Sequence, residues 1–294
     1  MKKFFVLLSC ISLLMAIAFL GLSIYENEKL TKEQDQIGNL MNEVFINETV
    51  PEETKDETQS PSETTGESTP ETTDTTGTTE TSKPTQTETN TKPQYTTPAA
   101  VNVAELKKTN SDIQGWIYLE NSNVNYPFVH STGNEYLRKN IYGKKSDAGT
   151  IFCYDNQEIT SYSKMDKNVI LYGHNMNNGT MFYYIDYLRR NTNSLKTGYN
   201  KYIYIYTENY IYKYEIFSVY KIEKDENFNQ VYFKNDVEFT EFCTSLYQRS
   251  VYKGTCPDFS GKNIITLATC TSGSSKTHRT ALHGILVEVK ENDY

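Results

Sequence analysis

Residues 51–98 decide how much of this 294-residue chain can build a core. They hold 18 threonines, six of its eight prolines and almost no large apolar side chain. Such a stretch buries too little surface to offset the entropy of ordering and is expected to stay disordered. It also carries ten Asp and Glu against three Lys, which is −7 of the chain's total charge of −8. The remainder is near neutral, and no basic stripe points to nucleic acid. What can fold is residues 99–294, with 22 of the 24 tyrosines, the single tryptophan and four of the five cysteines. An aromatic-rich, proline-poor composition favours strands.

Ahead of that segment, residues 4–24 read FFVLLSCISLLMAIAFLGLSI, 21 residues without a charge. This is the length a helix needs to cross a hydrocarbon core. Lys2 and Lys3 precede the run, and Glu26 and Glu28 follow it. The positive-inside bias then places the N-terminus in the cytoplasm and the rest outside. A retained signal-anchor is favoured over a cleaved signal peptide, whose apolar run is shorter and ends in a small-residue cleavage site. A lipoprotein signal at Cys10 fits less well, because another dozen apolar residues come after it. The expected organisation is an anchor over 1–25, a partly helical juxtamembrane segment over 26–50, a Thr/Pro/Glu-rich stalk over 51–98 and a folded domain over 99–294. The stalk is either a spacer within a cell envelope or a passive linker.

Within the domain, apolar and aromatic runs predict strands over Trp116–Leu119, Val124–Val129, Thr150–Tyr154, Val169–Tyr172, Lys201–Thr207, Tyr210–Lys221, Ile264–Thr269 and Ala281–Val289. Helical spacing predicts a short helix over Val101–Asn110 and another over Met181–Arg190. A third follows the capping pattern Asn235-x-x-Glu238, with Phe239, Phe242, Cys243 and Leu246 on one face. Strands outnumber helices and often follow one another directly, which favours a mostly antiparallel barrel or sandwich with peripheral helices.

The chain has no Gly-rich phosphate loop, CxxC pair, HExxH or GxSxG, so neither a metal nor a cofactor is expected. The reactive candidates are cysteine and histidine. Cys243 lies on the apolar face of a predicted helix and Cys153 in an apolar strand, so both read as core. Cys256 precedes Pro257 in a loop. A disulfide between any two is possible, and the spacing favours none. Cys270 ends the strand Ile264–Thr269, and the polar run Thr271-Ser272-Gly273-Ser274-Ser275 follows, a setting in which a thiol can meet a substrate. A nearby cation favours the thiolate, and Lys276 and Arg279 are the nearest in sequence. Among the histidines, His283 lies inside the last strand and reads as structural, His278 sits in the loop, and His130 ends a strand without special context. His174 follows a strand and a glycine, in Tyr172-Gly173-His174-Asn175-Met176, and mirrors the setting of Cys270.

These residues resemble a known family. Thr266-Leu267-Ala268-Thr269-Cys270 is similar to the TLxTC motif of sortases, Leu171–Met176 to their histidine strand end, and Arg279-x-x-x-His283 to the arginine strand that follows. The order His, Cys, Arg is the family's order. Asp112–Ile117, Asn125–Val129 and Gly149–Phe152 also resemble sortases, most of all class B, as does the helix over 236–251. The resemblance covers about 105–290.

It implies a mostly β fold: an eight-stranded sortase-type barrel with peripheral helices, here preceded by a transmembrane helix and a disordered stalk. It implies a transpeptidase that cleaves a C-terminal sorting motif of secreted surface proteins after Thr. A peptidoglycan or pilin amine then resolves the acyl-enzyme. Carried over, Cys270 is the nucleophile, His174 the general acid and base, and Arg279 the group that steadies substrate and oxyanion. Tyr172, Asn134, Leu137, Ala268 and Thr269 are the substrate-binding candidates. Ala268 stands where class B members often have Ser, and the long Thr-rich stalk is not a usual class B feature. The competing possibilities are a secreted cysteine peptidase acting on wall peptides and a stalked adhesin whose barrel only binds. The first commonly places Cys before His in the chain, and an intact His/Cys/Arg set argues against the second.

Overall fold

The computed structural model describes residues 2–46, 97–271 and 277–294. The stalk expected over 51–98 lies outside the described residues except for its last two, and so do residues 272–276 with Lys276.

The uncharged run lies in one long helix, α1 (Lys2–Val44). By length and composition, its segment Ile11–Val44 is long and apolar enough to cross a membrane. Among the described residues, Leu13, Leu14, Phe19 and Leu20 are exposed. The second half changes character. Leu40 and Val44 are buried, with Leu30 and Ile37 partly so, all packed on the rest of the protein. The helix runs into β1 (Phe45–Ile46), which pairs antiparallel with β2 (Ala100–Val101). The helix α2 (Val103–Thr109) follows, with Asn102 as its cap accepting the Glu105 N–H at 2.9 Å.

Eight strands then close a barrel. They are β3 (Ile113–Leu119), β4 (Asn125–Ser131), β5 (Ile151–Tyr154), β6 (Asn168–Tyr172), β7 (Tyr202–Tyr206), β8 (Tyr210–Glu223), β9 (Ile264–Cys270) and β10 (His278–Glu291). The order around the barrel is β10-β8-β7-β3-β4-β5-β6-β9. Three helices decorate it: α3 (Tyr183–Arg190), α4 (Asn193–Lys196) and α5 (Asp236–Arg249). The expectation of a mostly antiparallel sheet holds with two exceptions, because β4 with β5 and β6 with β9 run parallel. Parallel neighbours need long crossovers, which strand-by-strand pattern cannot reveal.

Alternation sorts the side chains. On β7, Ile203 and Ile205 are buried inside, whereas Tyr202 and Tyr204 stay half-exposed on the outer face. On β9, Ile265 and Leu267 point inward, and Ile264 and Ala268 point outward beneath α5. Gly115 is fixed by contact, since a Cβ there would lie 2.1 Å from the Tyr206 carbonyl oxygen. One local expectation shifts and another holds. The helix predicted from Met181 starts at Tyr183, because Met181 has φ +57° and cannot join a right-handed helix. The Asn235 cap accepts the Glu238 N–H, and the Glu238 carboxylate reaches back to the Lys234 N–H at 2.7 Å.

His283 is structural, as its place in the last strand suggests. It is fully buried, with Nδ1 2.9 Å from Thr266 Oγ1 and Nε2 3.0 Å from the Tyr220 hydroxyl. The Thr266 hydroxyl donates to Asn168, so its oxygen accepts from His283 Nδ1–H and Nε2 accepts from Tyr220. Burial favours the neutral ring and pushes its pKa down to about 3. The unfolded ring takes a proton near pH 6.5 and the folded one does not, so stability falls as pH drops below that value. From pH 6.5 to 5 the loss should be about 2 kcal/mol, read as a lower urea midpoint, and His283→Gln should flatten this dependence.

Candidate active site at the barrel rim

The parallel pairing of β6 with β9 sets the site. Tyr172 lies beside Ala268, and the two backbones stay together one step further. There Gly173 N–H donates to the Ala268 carbonyl at 3.2 Å, and the Thr269 hydroxyl donates to the Gly173 carbonyl at 2.7 Å. Because the strands are parallel, both C-terminal ends reach the same rim, with His174 on one and Cys270 on the other. Asn175 ties them, its side-chain amide donating to the Cys270 carbonyl at 2.7 Å. On the other side, β10 is antiparallel to β9 and places Arg279 directly opposite Cys270. Directly opposed residues present their side chains on one face, with Cβ atoms roughly 5 Å apart. Cys270, His174 and Arg279 are all half-buried.

The histidine ring is oriented by a loop. His174 Nε2 lies 2.9 Å from the Leu137 carbonyl oxygen. A carbonyl only accepts, so Nε2 carries the proton in this contact, and the neutral ring keeps its lone pair on Nδ1. Gly149 holds that loop close. It has φ +63°, and a Cβ would lie 2.5 Å from the Tyr136 carbonyl oxygen and 2.8 Å from that of Leu137. Gly149→Ala should therefore displace the histidine's acceptor and lower kcat about tenfold or more in a folded barrel, which steady-state kinetics beside a melting curve would check.

The substrate-binding candidates separate. Tyr172, half-buried, stacks on Phe152 with centroids 5.6 Å apart and packs against Tyr154. The Tyr154 hydroxyl donates to Asn134 Oδ1 at 3.1 Å, and Leu137, Tyr154 and Tyr172 pack against one apolar cluster. Ala268 shares the outward face of Cys270 and is nearly covered. Thr269 has the opposite parity. It is buried, and its hydroxyl is occupied by the Gly173 carbonyl, so it braces the strands and does not line the outer face. Sequence reasoning missed Asn175, Tyr154 and Asn229, whose amide donates to the Tyr172 hydroxyl at 3.2 Å. Only Asn175 had a signal, adjacency to His174.

The four described thiols are free and differ in environment. Burial pushes the pKa of Cys243 up to about 12 and that of Cys153 higher still, so neither forms a thiolate readily near neutral pH. Cys256 is exposed in the loop after α5. His278 lies next to Arg279 at the start of β10 and is paired across to Glu223. His130 is on β4, paired with Cys153 on β5. Among these four described thiols, only Cys270 combines partial exposure with a cation opposite and a histidine strand end alongside.

A closed mostly β barrel with a thiol, an imidazole and a guanidinium on one rim defines a cysteine acyl-transfer enzyme in outline. Comparison with known proteins gives the family. The sortase-domain family model matches residues 117–287. Sortase B of Listeria monocytogenes is 31% identical over 192 residues, covering 62% of this chain and 73% of that protein. Sortase B of Staphylococcus aureus is 31% identical over 176 residues, covering 58% and 68%. Among solved structures, Clostridium perfringens sortase B aligns with a TM-score of 0.57 at 29% identity, covering 63% of this chain and 99% of that one. A Staphylococcus aureus sortase B–substrate complex aligns with the same score at 26% identity, covering 63% and 84%. The chain belongs to the sortase family, is most like class B, and is a cysteine transpeptidase.

Proposed function

We propose that Cys270, His174 and Arg279 form the catalytic set and that the substrate is the C-terminal sorting motif of a secreted surface protein, cleaved after Thr. The observation that carries this is the shared rim: His174 and Cys270 at the ends of parallel neighbours, with Arg279 opposite the thiol. Cys270 attacks the Thr carbonyl carbon as the thiolate, its proton having passed to His174, and Arg279 donates hydrogen bonds to the developing oxyanion and the bound peptide. His174, protonated on both nitrogens, keeps Nε2–H on the Leu137 carbonyl and gives the Nδ1 proton to the departing amine. The C–N bond breaks and a thioester remains on Cys270. An incoming amine then attacks the thioester and loses its proton to Nδ1, and the sulfur leaves. The new amide carries the surface protein.

The acceptor is a peptidoglycan or pilin amine. The enzyme is anchored by the apolar half of α1 with its N-terminus in the cytoplasm, in line with Lys2 and Lys3 before the run and Glu26 and Glu28 after it. The catalytic domain, 99–294, then works outside the cell, with 26–50 as the juxtamembrane segment and 51–98 as the stalk. Asn134, Leu137 and Tyr172 line the peptide groove, and Ala268 forms part of its floor.

The test incubates the protein with sorting-type peptides and a panel of amines, read by mass spectrometry. Amine-dependent product joined after Thr is expected. Broad cleavage that ignores the amine would instead establish a wall peptidase.

A further inference from the structure

We propose that Tyr126 is a positioning residue for His174, and that the juxtamembrane half of α1 holds Tyr126 in place through Gln34. This rests on the assignment of His174 as the acid and base.

The stretch that carries His174 folds back on itself. Phe182 N–H donates to the His174 carbonyl at 2.8 Å, and Asn175 bridges antiparallel to Met181. The turn therefore hangs on residues 181 and 182, and Met181 is its weak point. With φ +57°, it occupies a backbone region that a side-chain-bearing residue reaches only when its surroundings enforce it.

Two contacts enforce it here. The Met181 side chain is buried, and its N–H donates to the Tyr126 hydroxyl oxygen at 3.1 Å. Tyr126 sits on β4 opposite Ile117 and is itself buried, so its ring is fixed by the barrel. Its hydroxyl hydrogen goes the other way, to Gln34 Oε1 of α1 at 3.2 Å. The directions are consistent: the phenol accepts from the active-site turn and donates to the helix that carries the membrane anchor. A small crevice of about 30 Å³, lined by Gln34, Ile37, Tyr126, Pro127, Gly149 and Met181, lies between α1 and the barrel at this level. Removing the hydroxyl oxygen strips the Met181 N–H of its acceptor and lets the turn relax. The histidine ring then drifts from the thiol, while β9 and Cys270 stay where they are.

The experiment uses the full chain in lipid nanodiscs, in a Cys256→Ser background, with active sites counted by alkylation of Cys270. Tyr126→Phe should lower kcat per active site about tenfold, leave KM for a sorting-type peptide within about twofold, and shift the pH–rate limb that belongs to His174. The Cys270 alkylation rate should stay unchanged. Gln34→Ala should lower kcat in the same direction by about threefold. If Tyr126→Phe keeps parental kcat and pH profile while His174→Ala is inactive, the positioning role is overturned and the catalytic assignment stands. If Gln34→Ala is silent while Tyr126→Phe is not, the link to α1 is overturned. Full turnover in His174→Ala would overturn the catalytic assignment itself.

Discussion

Cys270→Ala should leave a folded barrel with no turnover. The side chain is only half-buried and the strand's hydrogen bonds run through its backbone, so little packing is lost. Asn175 contacts the Cys270 carbonyl, which alanine keeps. The thermal midpoint should therefore move by no more than a few degrees. Activity, in contrast, should fall by at least about 10⁴-fold, because without the sulfur no acyl-enzyme forms and neither His174 nor Arg279 can replace it. Cys256→Ala should be silent in the same assay.

Asp186→Ala should produce the opposite pattern, a large loss of stability. Asp186 is fully buried on α3, where its carboxylate accepts from the Thr280 hydroxyl at 2.6 Å and from Arg189 Nε at 2.9 Å. Arg190 Nε is 3.4 Å from the other oxygen. Arg189 is itself largely covered, with 16% of its side chain exposed. Removing the acid strands that guanidinium, and breaking a buried pair in this way costs about 3–5 kcal/mol. The damage should reach the site, because Thr280 follows Arg279 and its hydroxyl lies 3.3 Å from that of Thr271, which follows Cys270. Denaturant unfolding of Asp186→Ala, with Asp186→Asn as the milder comparison, measures the first effect. The alkylation rate of Cys270 in the folded fraction reads the second.

Much of the candidate site was legible because strand ends are legible. Apolar runs closing at Tyr172 and Thr269, with glycine or polar residues beyond, marked where His174 and Cys270 leave the scaffold. What the pattern could not give was adjacency. The parallel pairing of β6 with β9 joins segments far apart in sequence, and only that pairing makes the two ends neighbours. Asp186 was hidden for a related reason. A carboxylate on a short helix rich in Arg reads as solvated surface until β10 is seen to cover it. Thr269 illustrates the cost of reading a motif without its parity, since the residue beside Cys270 on a strand faces the other way. The start of α3 was misjudged because helical spacing registers side chains and not the left-handed backbone that Met181 adopts.

The central claim is that a thioester forms on Cys270. Mixing the full chain with a sorting-type peptide in the absence of any amine, quenching in acid and mapping the adduct by mass spectrometry tests it most directly. The acyl fragment ending in Thr should be found on the peptide containing Cys270, and adding an amine should discharge it into the joined product. An adduct on Cys256, or turnover by Cys270→Ala with no adduct at all, would contradict it.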